Sequence, residues 1–265
     1  FFARTGSHKA FAREANVLCH LRHPNVVQLL KVCRTGGKGL LIVTEFFPRS
    51  LFTYLHESAD AADGAPDPAE PELLPRPEVL RLSRDIACGM HYLHTFRPAV
   101  LHRNLKSQNL MLDDGGRVKV ADFGWSRFKD GKGGSGPGTF FHGWQWVAPE
   151  ILSSRPYTEK ADVYSFAMIM WEIHTRRLPF KGMNPVQIGL AVREQKLRPD
   201  IPADCSQRHA KLMQECWHEE PEHRPDFATI IAVLNEEHEN EEALAHSASA
   251  ATPTSIGGGR NKLAR

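Results

Sequence analysis

The residues best suited to chemistry lie in one stretch, Leu101 to Asp113, which reads LHRNLKSQNLMLD and is followed nine residues later by Asp122-Phe123-Gly124. An apolar run, a polar loop ending in Asn109, a second apolar run, a Gly turn at Asp114-Gly115-Gly116 and a third apolar run precede that tripeptide. Such an order predicts a loop held between small strands. It delivers an amide, Asn109, and a carboxylate, Asp122, from two neighbouring segments. Hard oxygen donors of this kind suit Mg²⁺, which takes one or two protein carboxylates and completes its shell with phosphate and water oxygens.

The rest of the chain must position that loop. Its 265 residues, 41% hydrophobic and 24% charged, are enough for one or two cores, and a net charge of +2 gives no argument for a nucleic-acid or membrane partner. Five cysteines without C-x-x-C spacing suggest neither a disulfide framework nor a zinc site, and so point to a reducing, cytoplasmic setting. No apolar run approaches the length needed to span a bilayer. The start, FFARTGSHK, lacks both Met and a signal-peptide pattern, as expected of a fragment.

Between Lys9 and Leu21, Phe11, Ala15, Leu18 and Leu21 recur at helical spacing, and His23-Pro24-Asn25 ends the pattern. Val26–Val32 and Leu40–Phe47, joined by a Gly-rich turn, predict a β-hairpin. Leu51–His56 is a short helix. Glu57–Pro77 is acidic and proline-rich, a surface insertion, and Glu78–His94 resumes helical periodicity. A glycine-dense stretch from Trp125 to His142 follows the loop. It leads to Trp146-Val147-Ala148-Pro149-Glu150, an apolar helix through Ile173, a helix over Pro185–Glu194, and Pro221-Glu222-His223-Arg224-Pro225. The end of the chain, from Asn235 to Arg265, is polar and reads as disordered.

Taken together, the HRN-LKSQN loop, D-F-G, A-P-E and the segments around them resemble the protein kinases, whose catalytic loop reads H-R-D-L-x-x-x-N. The match covers residues 8 to 234 in the right order, and Lys106 resembles the tyrosine-kinase-like group of serine/threonine kinases. The resemblance implies an α+β, two-lobed fold. Residues 1–47 would form a partial small lobe of helix, hairpin and hinge, 48–235 a mainly helical large lobe with an insertion at 57–77, and 236–265 a disordered tail. It implies ATP and Mg²⁺ as cofactors and a protein substrate or signalling partner, with no nucleic acid or membrane.

The implied roles fall on particular residues. Asp122 and Asn109 would hold the metal and Lys106 would sit against the transferred phosphate. Glu14 takes the place of the small-lobe glutamate, Thr44 the gatekeeper position, and Glu45 to Phe47 the adenine hinge, with Met111 facing the nucleotide. Leu18 and Leu29 fall at regulatory-spine positions, and His102 is structural. Asp162 would accept catalytic-loop N–H groups, its simpler alternative being an N-cap. Glu150 and Arg224 would form a buried ion pair. Arg103 would meet a phosphorylated Ser126, Ser135 or Thr139. The family's Gly-rich loop and its lysine would lie upstream of Phe1, since Lys9 is too close to Glu14 on the same helix.

Two departures bear on activity. Asn104 stands where the family carries its catalytic Asp. Gly138-Thr139 lies too far from A-P-E, so that Gly143 takes the usual Gly position and the following threonine is missing. A carboxamide can bond an acceptor hydroxyl but cannot take its proton. The chain is therefore expected to be either a serine/threonine kinase with impaired catalysis, or a pseudokinase that keeps the fold and the nucleotide as a scaffolding module.

Overall fold

Strands β1 (Phe2–Ala3), β2 (Leu29–Arg34) and β3 (Leu40–Thr44) form a small antiparallel sheet in the order β1-β3-β2, with Leu29 opposite Thr44 and Arg34 opposite Leu40. This computed structural model describes residues 2–3, 14–34, 40–57, 71–124, 126–128 and 143–250. Lys9, the hairpin turn at 35–39, most of the proline-rich insertion, Ser135, Gly138, Thr139 and the last fifteen residues lie outside them. The helical residues 14–18 (α1) lead to the loop at His23-Pro24-Asn25, burying Val17 and Leu18.

Val26 and Val27 belong to no hairpin strand, although they open the apolar run Val26–Val32 that predicts one. The Val27 N–H is donated to the Val120 carbonyl and the Val120 N–H to the Asn25 carbonyl, each at 2.9 Å, so this backbone is already committed to the large lobe. The Asn25 side chain adds a bond to the Val118 carbonyl at 3.0 Å.

β4 (Arg49–Ser50) leads directly into α2 (Leu51–His56), whose first turn is capped by the Ser50 hydroxyl accepting from the Thr53 N–H. In α3 (Arg76–Thr95), Val79, Leu82, Ile86, Met90 and Leu93 are buried at spacings of three and four. Gly89 lets this helix approach the Asn25 loop, because a Cβ there would lie 2.5 Å from the Asn25 carbonyl oxygen. β5 (Val100–Leu101) precedes the polar loop. β6 (Leu110–Leu112) and β7 (Val118–Val120) follow it as a tight ladder that β4 extends in the order β4-β6-β7, and β8 (Arg127–Phe128) returns to β5.

The large lobe continues with α4 (Pro149–Leu152), α5 (Lys160–Thr175), α6 (Pro185–Glu194), α7 (Gln207–Cys216) and α8 (Phe227–Ala250). α5 is buried nearly all round, as an apolar central helix must be. Asn184 and Gln187 close a capping box at the start of α6.

One expectation fails here. The disordered tail assigned to 236–265 is helical through Ala250. Glu237, which reads as a solvated residue, is buried, accepts from Ser206 at 2.6 Å, and pairs with Arg76 at 2.9 Å and His209 at 3.1 Å. Partners thirty to a hundred and sixty positions away hold this part of the helix, and no local pattern announces them.

Candidate active site

The polar loop is fixed from below by one carboxylate. Asp162, in the first turn of α5, accepts the backbone N–H of His102 at 2.9 Å and of Arg103 at 2.8 Å, and His94 Nε2 lies 2.9 Å away. Burial alone would raise its pKa. The His94 hydrogen bond, the neighbouring histidines and the Arg103 N–H outweigh that and hold the carboxyl below the usual range. Asp162 is not the helix cap, which falls at Glu159. His102 is fully buried, its Nε2 2.9 Å from the Ala121 carbonyl and its ring edge-on to Phe123 at 5.4 Å. Arg103 and Asp122 adopt left-handed φ of 68° and 63°, local strain of a kind that clusters at functional sites.

Above this base the three oxygen- and amide-bearing residues meet. Asn104 Nδ2 donates to Asp122 Oδ2 at 2.9 Å, and Asn109 Nδ2 donates to the Asn104 carbonyl at 2.8 Å. Asn109 thus spends its N–H groups within the loop, leaving the amide oxygen as the atom suited to a cation. The donor set of one carboxylate and one amide oxygen fits Mg²⁺.

Lys106 is half-buried, and burial pulls its ammonium below the ordinary lysine range against the opposing pull of Asp122. Gly143 packs on it: with φ of 106°, a Cβ at this position would stand 3.2 Å from both Lys106 Cδ and the Trp146 ring. Trp144 occupies the position after this glycine and lies against Gly189, where a Cβ would come within 3.0 Å of its ring.

Glu14 is buried, its Oε2 without a hydrogen-bond partner among the described residues. Burial, then the charge of Asp122, pushes its carboxyl up to about 7 despite a hydrogen bond with the Phe123 backbone. The hinge residues serve the scaffold as well. Thr44 donates its hydroxyl to the Glu45 carbonyl at 3.1 Å, while the Glu45 carboxylate takes the Gln28 N–H at 2.8 Å and Lys119 Nζ at 2.8 and 3.0 Å. Lys119 faces Met111 across the β6–β7 ladder, and Phe47 is buried.

Ser126 is removed from the phosphorylation candidates. It is fully buried and donates to the His102 carbonyl at 3.2 Å, so its hydroxyl is closed to a modifying enzyme. The Arg103 guanidinium lies 5.2 Å over the Tyr157 ring. Glu150 and Arg224 form the expected pair, bidentate at 2.8 and 2.9 Å and buried on both sides.

Residues 3–234 match the family of protein tyrosine and serine/threonine kinases. The chain is a protein kinase domain. It is 42% identical to the serine/threonine/tyrosine-protein kinase HT1 of Arabidopsis thaliana over 84% of this chain and 54% of that protein. It is 43% identical to the probable serine/threonine-protein kinase drkC of Dictyostelium discoideum over 84% of this chain and 28% of the relative. With STY17 of Arabidopsis thaliana the figure is 35%, over 86% and 37%. The kinase domain therefore spans about half or less of the length of these relatives.

Sequence reasoning missed one carboxylate of this kinase domain altogether. Glu172, fully buried on α5, accepts from His56 Nε2 at 2.8 Å, the Ser107 hydroxyl at 2.7 Å and the Trp146 indole N–H at 3.0 Å. A lone Glu inside an apolar helix was the available signal, since a buried carboxylate requires donors. No described helix is long and apolar enough to cross a membrane.

Proposed function

We propose that the chain is a cytoplasmic, nucleotide-binding kinase domain that transfers phosphate from ATP to serine or threonine of a protein substrate at a much reduced rate. The observation that carries this reading is the Asn104–Asn109–Asp122 arrangement, which keeps the cation-binding oxygens and lacks only the proton acceptor. Bound Mg²⁺, held by Asp122 and Asn109, would supply charge neutralisation to the phosphates. Lys106 would add a second positive charge beside them. Asn104 can orient an acceptor hydroxyl without accepting its proton, which forgoes about 10² to 10⁴-fold in rate.

A pseudokinase reading is favoured by a separate observation, the buried Glu14 carboxyl, whose Oε2 has no hydrogen-bond partner among the described residues. Thermal unfolding of the full-length protein with and without Mg·ATP tests the nucleotide claim. Ligand at about a hundred times its Kd stabilises by about 2.7 kcal/mol, a rise of roughly 5 to 10 °C for a domain of this size. The rise should require Mg²⁺ and vanish in Asp122→Ala. An unmoved midpoint would leave the scaffold alone. Radiolabelled phosphotransfer to a generic protein substrate then separates the weak enzyme from the pseudokinase.

A further inference from the structure

We infer that the large lobe carries a second binding site, remote from Asp122, for a small neutral molecule with an apolar body and a single O–H or N–H donor at its head. Two adjoining cavities of about 120 and 360 Å³ open where the chain leaves the proline-rich insertion and meets α3, the end of α5 and the start of α7. They share Leu73, His174 and Asp204. Leu74, Val79, Leu80 and His209 line the inner one together with Arg76, Cys205 and Ser206. His174 lies twelve residues along α5 from Asp162, roughly 18 Å at the helical rise, so this is not the nucleotide site.

Apolar side chains line much of the inner cavity, and polar groups interrupt them. His209 is only 3% exposed. Its Nδ1 faces the Glu237 carboxylate at 3.1 Å, and Glu237 is held below the usual carboxylate range: burial would raise it, but the His209 and Ser206 hydrogen bonds prevail. An ionised carboxylate only accepts, so Nδ1 carries the proton and Nε2 presents a lone pair. That Nε2 is buried and has no hydrogen-bond partner among the described residues. Nε2 of His174 is likewise buried and faces Asp204 Oδ1 at 3.7 Å. The two rings lie 6.3 Å apart. Buried polar atoms are normally hydrogen-bonded, and the His209 acceptor, unpartnered among the described residues and lining a cavity, calls for a donor.

Charge decides against an acid as the occupant. Arg76 is already paired with Glu237 at 2.9 Å and Glu241 at 2.7 Å, and Asp204 stands at the mouth. With Arg177 lining the outer cavity, two cationic side chains stand against three carboxylates, Glu237, Glu241 and Asp204, and that excess disfavours a carboxylate or phosphate. An engineered apolar cavity of about 150 Å³ admits benzene, so the inner space suits one ring or a short chain, with the body extending into the outer cavity.

Three isosteric probes test the assignment on the unmodified chain: p-cresol, toluene and p-toluate, followed through the imidazole nitrogen resonances in ¹⁵N-labelled protein. p-Cresol should shift the Nε2 signals of His209 and His174 saturably, with toluene and p-toluate each binding about tenfold more weakly for want of the donor or because of the added charge. His209→Phe, which keeps a ring and removes the acceptor, should erase the preference for cresol over toluene. If that variant does not fold, the three-probe comparison on the parent stands alone. No saturable shift with cresol, or equal affinity for toluene, would overturn the proposal and assign these nitrogens to water.

Discussion

Asn104 and Asp122 are joined by an amide-to-carboxylate hydrogen bond of 2.9 Å across the cleft in which a cation would sit. With Asp at position 104, two carboxylates would face each other at this distance. Asn104→Asp should therefore lower stability without a divalent cation by about 1 to 2 kcal/mol, a few degrees in melting midpoint. Mg·ATP should recover that loss, and phosphotransfer should rise about 10²-fold or more because a proton acceptor is restored. Melting curves with and without Mg²⁺, alongside a radiolabel assay, measure both. A variant more stable than the parent in chelator would show that the bond does not form.

Glu14 gives a pH signature. Its carboxyl is raised from 4.5 to about 7 in the folded chain, so between those values the folded state holds a proton that the unfolded state has released. Its contribution is therefore fully present below about pH 4.5 and lost as pH rises through about 7, a decline on the order of 3 kcal/mol. Glu14→Gln should match the parent near pH 5 and exceed it at pH 8. Urea unfolding at the two pH values gives the difference, and parallel curves would contradict the burial of this group.

Arg224→Ala should strand the Glu150 carboxylate in a buried site, at a cost of about 3 to 5 kcal/mol. Arg224 also donates to the carbonyls of His218, Lys160 and Glu219, so three acceptors lose their partner as well. The expected outcome is a sharp loss of soluble, folded yield. Arg224→Lys should rescue little, because an ammonium cannot reproduce the two-pronged contact.

Gly89→Ala places a methyl group 2.5 Å from the Asn25 carbonyl oxygen. Ala favours a helix intrinsically, yet here the backbone on the other side must move, and overpacking of this kind costs about 1 to 3 kcal/mol. Thermal unfolding should show a lower midpoint. A higher one would mean that the Asn25 loop yields freely.

What was legible in the sequence was local. Leu51–His56 and Pro185–Glu194 are helices with the expected bounds, since each is announced by its own cap, Ser50 and Asn184. That Asn109 and Asp122 lie on neighbouring segments follows from two strands and a tight turn, with the Ala121 N–H donated to the Asn109 carbonyl. What escaped is non-local. Val26 and Val27 open an apolar run as a strand would, but their backbone partner Val120 lies over ninety residues away. Ser126 looks like an exposed hydroxyl until the fold closes His102 over it. Glu237 looks solvated until Arg76 and His209 arrive.

Glu172 has a consequence for how this domain tolerates change. His56 follows the hinge, Ser107 belongs to the polar loop, and Trp146 stands just before Pro149, yet all three spend a donor on the same two oxygens. A mutation in any one of these segments frees an acceptor that the others can move to fill. Substitutions at 56, 107 and 146 should then fail to add: the second loss should cost more than it does alone, and each position would carry the genetic background of the other two.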